Sequence, residues 1–202
     1  MNQEQLESFL CEALETERGG VQIYEAALEC AENEELKDEW EEYLEQTREH
    51  VDILQNVCKQ LGIDTEQETT GSQIVRATAQ ALLRNMQVAR ESGDSTLAQI
   101  VAAEAVSHAE LKDHLNWQLI GLVSKEAEKG DRVGEVLQEA YEQVEDQEEE
   151  HVFHNQGWAR ELWAECLGME AVFPPPEEKL GIKVPKKAES EVLKQRSKQQ
   201  ES

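Results

Sequence analysis

Residues 145–154, EDQEEEHVFH, decide how the rest of the chain is read. As charge alone the stretch is one more solvated acidic run, since the 202-residue chain carries 44 Asp+Glu against 19 Lys+Arg, a formal charge of −25. Wound as a helix, it sets Glu148 and His151 three residues apart, so both side chains lie on one face and can hold a single metal ion. Val144 and Trp158 fall in phase with them, which puts the pair on an apolar stripe that should face a core. The expectation is half of a buried metal site rather than surface charge.

The charge balance restricts the partners. A chain this negative is repelled by nucleic acid phosphates and by anionic membranes, so neither is expected as a partner. The opening MNQEQLESFL has no basic flank and no long apolar run, so no secretory signal or membrane span is expected. Cys11, Cys30, Cys58 and Cys166 are widely spaced without a CxxC. They are read as reduced thiols, and the expected compartment is the cytoplasm.

All four prolines lie after Phe173, so nothing upstream obstructs long helices. Breaks are marked by caps and glycines instead: Asn33, the polar loop GIDTEQETTGS at 62–72 with Ser72 as a cap, SGDS at 92–95 and KGDR at 129–132. Between them the apolar period of 3.6 predicts helices over 2–31, 34–61, 73–91, 95–129 and 131–167. No stretch alternates as a strand would, so the fold class is all-α. Short turns near 32 and 130 make two antiparallel hairpins. The segment 62–94, with its own helix, is long enough to cross the length of a bundle. Two hairpins joined by one long helical crossover between the second and third long helices form a four-helix bundle of the ferritin-like kind. Residues 1–168 are assigned to this bundle and 169–202 to a polar tail, disordered or draped over the bundle.

Each inner stripe carries misfits. Glu17 is in phase with Leu10, Tyr24 and Leu28; His50 with Tyr43 and Leu54; Glu110 and His114 with Ala103, Ser107, Trp117 and Gly121. A turn near 32 sets Glu17 opposite Thr47, one turn from His50. A turn near 130 sets Glu110 opposite His151 and His114 opposite Glu148. An unpaired carboxylate in a core costs several kcal/mol, so a lone one needs a partner. Here every long helix supplies at least one ionisable group at a common level. Hard carboxylates with imidazoles suit a pair of divalent ions. The plainer readings are Glu17 paired with Arg48 or a histidine, and His50 bonded to Thr47 or Tyr43. His108 and His154 are read as surface residues, with Asp113 and Lys112 marking the outer face. Gly19 and Gly20 open space beside Glu17 or allow close helix packing.

The phrases ETERGGVQIYEAAL, AELKDHLNWQLIG and EEEHVFHNQGWARELW resemble a bacterial branch of the ferritin-like superfamily, which includes bacterioferritin, rubrerythrin and manganese catalase. The resemblance covers residues 1–168. It implies a Glu from the first and third long helices and a Glu-x-x-His from the second and fourth. Glu17 and the Glu148/His151 pair match that pattern, and His50 matches its place, but Thr47 stands where a Glu is implied. With Glu110 and His114 added from the inner stripe of the third long helix, the expected ligand set is Glu17, His50, Glu110, His114, Glu148 and His151, and an altered or single-metal site is the consequence of Thr47. The implied function is a metal-binding protein with two irons (manganese or zinc as alternatives) reacting with dioxygen or peroxide. Iron storage would need many copies in a homo-oligomeric shell. The rival expectation is a metal-free acidic bundle that serves as a scaffold for a partner.

Overall fold

The computed structural model describes residues 2–127 and 130–171, so the expected tail lies outside the described residues from 172 onward. Among the described residues there are five helices and no strand: α1 (Gln3–Leu28), α2 (Glu34–Leu61), α3 (Thr70–Glu91), α4 (Ser95–Glu126) and α5 (Arg132–Cys166). None is long and apolar enough to cross a membrane.

The starts follow from local chemistry. Each helix leaves its first amides without intrahelical partners, and a short polar side chain at the cap supplies one. Asn33 Oδ1 accepts the Leu36 amide at 3.0 Å, Asp94 Oδ1 accepts that of Leu97 at 3.0 Å, and Asp131 Oδ1 accepts that of Val133 at 3.1 Å. Helix α3 begins earlier than its expected residue 73. Thr69, not Ser72, is the cap. Its hydroxyl accepts the Ser72 amide at 3.0 Å, while the Ser72 hydroxyl accepts the Thr69 amide at 3.0 Å. Ser72 is thus the returning half of a capping box. Helix α1 stops at Leu28, short of the expected 31.

The bundle consists of α1, α2, α4 and α5. Helix α4 packs along α5, α1 along α2, and α1 and α2 also meet α4 and α5 respectively. Contacts between α2 and α5 pair Trp40 with Asn155, Gln46 with His151 and His50 with Gln147, so the two run antiparallel. Helix α3 lies outside, against α1 and α4, as the crossover helix. Gly19 allows that approach, because a Cβ there would sit 3.1 Å from the Ala79 Cβ. A Cβ on Gly20 would sit 3.3 Å from Thr47 Cγ2. The two glycines therefore serve close packing, and α1 runs through them unbroken.

The core divides into two apolar clusters. One holds Ile23, Tyr24, Trp40, Tyr43, Val106 and Trp158. The other holds Leu10, Leu14, Leu54, Trp117, Ile120 and Val144. Along each long helix a gap separates the two clusters. Glu17 falls in it on α1, His50 on α2, Glu110 and Asp113 on α4, and Glu148 and His151 on α5. Burial of the clusters, at about 25 cal/mol per Å² of apolar surface, fixes the helices on both sides and forces the polar groups between them together. The three cysteines Cys11, Cys30 and Cys58 are buried and unbridged, and Cys166 is exposed.

Candidate metal centre

Five of the six expected ligand residues converge in the gap. Glu17, His50 and His151 are 0% exposed, Glu148 1% and Glu110 2%. Their ligand-type atoms form two groups, Glu17/His50/Glu148 and Glu110/Glu148/His151, each with all atoms within 4.8 Å of one another. Glu148 belongs to both.

Within the first group His50 Nδ1 lies 3.1 Å from Glu148 Oε1 and 3.5 Å from Glu17 Oε1. Within the second, His151 Nδ1 lies 3.5 Å from Glu110 Oε2 and 3.8 Å from Glu148 Oε1. These contacts are close, yet neither Nδ1 has a hydrogen-bond partner. His50 Nδ1, His151 Nδ1, Glu17 Oε2, Glu110 Oε2 and Glu148 Oε2 are all buried without a hydrogen-bond partner. Buried polar atoms are nearly always satisfied, so this concentration of orphans demands a physical reason. Electron-rich nitrogen and oxygen atoms that face one another around a common point are what a cation would hold.

The outer contacts aim the two rings. His50 Nε2 is 2.8 Å from Gln147 Oε1, and His151 Nε2 is 2.6 Å from Gln46 Oε1. A carboxamide oxygen accepts, so each Nε2 carries the proton and each Nδ1 is turned to the centre. This is the outer-partner device that fixes the tautomer of a metal-binding histidine. The arrangement is reciprocal: the α2 histidine uses a glutamine of α5, and the α5 histidine uses one of α2. On the far side of Glu17, Trp117 Nε1 donates to Oε1 at 2.6 Å.

The electrostatics are those of buried charge. Burial alone would lower the His50 pKa, but its short contacts with Glu148 and Glu17 outweigh that and raise it to about 11. Burial raises Glu148 to about 7; the contact with His50 opposes the rise, and Glu110 and Glu17 add to it. No lysine or arginine pairs with Glu17, Glu110, Asp113 or Glu148 among the described residues. Without an added cation, protons are what neutralise this group.

His114 is not brought into either group. It is half-buried, with Nε2 2.9 Å from Gln118 Nε2. The inward position beside Glu110 belongs instead to Asp113, which is 5% exposed and close enough to hydrogen-bond Glu17. The expectation that Asp113 marks the outer face is corrected. The signal was in the spacing: Glu110, Asp113, Trp117 and Ile120 step by three and four, so Asp113 lies under the same stripe as Trp117. Burial, then the nearby charges of Glu17, Glu148 and Glu110, push its carboxyl well above the usual range.

His154 also lies inside rather than on the surface, at 2% exposed. Its Nδ1 is 2.9 Å from both Tyr43 Oη and Glu39 Oε1, and Trp158 Nε1 donates to Glu39 Oε2 at 3.1 Å. It is one turn from both His151 and Trp158, a phase that favoured burial. The Tyr43 ring in turn lies against His151, centroids 4.2 Å apart. Tyr24 stands against Glu110, and its hydroxyl accepts from Asn155 Nδ2 at 3.1 Å; burial and Glu110 hold its pKa well above the ordinary value. His108 is exposed, as expected. Thr47 is 2% exposed and its hydroxyl donates to the Tyr43 carbonyl at 2.8 Å, so it turns to its own helix and offers nothing to the centre.

These observations define a class: an all-helical bundle whose four long helices deliver carboxylates and imidazoles to one dry interior cluster able to hold metal. The chain belongs to the family described as a domain of unknown function (DUF892), which matches residues 2–149. That span includes Glu17, His50, Glu110, Asp113 and Glu148 and ends just before His151. No curated protein and no solved structure matches the chain.

Proposed function

We propose that the protein is a ferritin-like metal-binding protein that holds two divalent ions, iron foremost, and reacts with dioxygen or peroxide. The observation that carries this reading is the pair of ligand groups sharing Glu148, with both Nδ1 atoms and three carboxylate oxygens buried and unpartnered. Glu17 and His50 would hold one ion, Glu110 and His151 the other, and Glu148 would bridge them. Hard oxygen donors with one imidazole per ion suit iron or manganese better than the sulfur-rich sets that favour structural zinc. A bound pair of such ions supplies one-electron chemistry toward an oxygen species. The chain's own part is to keep the ions apart from bulk water and to give up the protons that His50 and Glu148 hold in the metal-free state when the ions bind.

The metal-free scaffold is the competing reading. In it a protonated His50 would bind Glu17 and Glu148 as a buried ion pair. It also sets His151 Nδ1 against Glu110 Oε2 at 3.5 Å, but neither atom has a hydrogen-bond partner there, a costly arrangement for a metal-free core. Iron, manganese and zinc per chain, measured on protein from iron-supplemented cells, separate the two. Two ions per chain in the wild type, lost in Glu148→Ala/His151→Ala, supports the metal reading. A folded, metal-free wild type contradicts it.

A further inference from the structure

We infer that Asp113 is a fourth carboxylate of the centre, entering from α4 in place of the one that α2 lacks at Thr47. The inference rests on the two-ion reading above and specifies which side chains complete it.

Thr47 is one turn before His50 on the inner face of α2, where a carboxylate would reach the ion held by His50 and Glu17. Its hydroxyl is committed to the Tyr43 carbonyl. Asp113 is one turn after Glu110 on α4, 95% buried, with its carboxyl against Glu17 and its Oδ1 without any hydrogen-bond partner. It lies outside both ligand groups as they stand and borders the first of them through Glu17, so it would reach the same ion from the opposite side of the bundle. Lys112, its neighbour, turns outward to Glu12 Oε1 at 2.9 Å and to Asn116. The side chain of Asn116 is bonded to Thr16. Among the described residues no lysine or arginine pairs with Asp113.

The charge count agrees. Glu17, Glu110 and Glu148 alone would leave two divalent ions with one excess positive charge in a dry interior. With Asp113 ionised, four carboxylates and two neutral imidazoles balance two dications. An uncompensated buried charge is strongly unfavourable, so the fourth carboxylate decides whether both sites fill. Asp113 is a ligand of the Glu17/His50 ion, and the Glu110/His151 ion does not depend on it directly.

The test is Mn²⁺ binding to the full chain by equilibrium dialysis and electron paramagnetic resonance, with folding followed by circular dichroism. The wild type is expected to bind two ions with the spectrum of a coupled pair. Asp113→Asn keeps the shape, removes the charge, and should weaken one of the two sites by about 100-fold or more, leaving an uncoupled Mn²⁺ signal. The double variant Thr47→Glu/Asp113→Asn moves the carboxylate back to α2, one turn before His50, and should regain the coupled pair. It also serves if Asp113→Asn alone does not fold. Two ions bound by Asp113→Asn with wild-type constants would overturn the role of Asp113 while leaving the two-ion reading intact. So would a folded double variant that holds one ion. No Mn²⁺ bound by the wild type would overturn both.

Discussion

His50 and His151 lie nearly parallel across the centre, ring centroids 5.8 Å apart, and each turns Nδ1 toward Glu148 Oε1, at 3.1 and 3.8 Å. One carboxylate thus stands between two imidazoles brought in by different helices, so removing it affects both ligand groups at once. Glu148→Gln is expected to abolish binding of both ions. Glu110→Gln, which touches only the His151 group, should cost one. Metal content of the two purified variants checks the contrast, and equal losses would contradict the shared position of Glu148.

The glutamines behind the histidines give a second prediction. Replacing Gln147 by Leu removes the acceptor for His50 Nε2, and replacing Gln46 by Leu removes that for His151. Loss of an outer partner typically lowers metal affinity 10–100-fold, and each variant should do so at one ion only. The cost to the metal-free fold is about 1–3 kcal/mol for the stranded ring N–H. Titration with Mn²⁺ reads the first effect and thermal melting the second.

The buried charges set a pH dependence. His50 is raised from 6.5 to about 11 in the folded, metal-free chain, so its contribution to stability is full below 6.5 and is lost as pH rises through 11. Glu148 is raised from 4.5 to about 7, so its contribution is full below 4.5 and is lost as pH rises through 7. Both act in the same direction across neutral pH. Bound cations replace these protons, so the gain in melting temperature on adding metal should widen from about pH 5 to about pH 8. Binding should also release protons, measurable by calorimetry in buffers of different ionisation enthalpy. A gain that shrinks with rising pH would contradict the assignment.

A packing prediction separates stability from the centre. A Cβ on Gly121 would lie 2.7 Å from Tyr141 Cε2 and Cζ, a ring with no free end to swing aside. Gly121→Ala should therefore destabilise by about 1–3 kcal/mol through overpacking. Tyr141 belongs to the apolar cluster that holds Trp117 and Leu137 rather than to the polar gap, so metal stoichiometry should be kept. Denaturant unfolding and metal analysis of the same sample test the pair of outcomes.

Much of the architecture was legible because it depends on local signals. Proline-free apolar periodicity located every helix, and Asn33, Asp94 and Asp131 are caps by the chemistry of their own side chains. The common level of Glu17, His50, Glu110 and Glu148/His151 followed from the hairpin turns. What was not legible is rotation about a helix axis. His114 and Asp113 are adjacent, only 100° apart, and a shift of part of a turn decides which of them faces inward. The packing of Trp117 against Glu17 settles it for Asp113, a tertiary contact that no single-helix pattern contains. His154 shows the same limit. Its burial depends on Tyr43 and Glu39 of α2 closing over it, while its immediate neighbour Phe153 is 37% exposed.

Diffraction from crystals grown with Mn²⁺ or Fe²⁺, recorded at the metal absorption edge, tests the central claim most directly. The account predicts two anomalous peaks in the gap between the apolar clusters, about 3.5–4 Å apart, one on each side of Glu148 and each next to one histidine Nδ1. Peaks only at surface carboxylates, with the interior cluster empty, would contradict it.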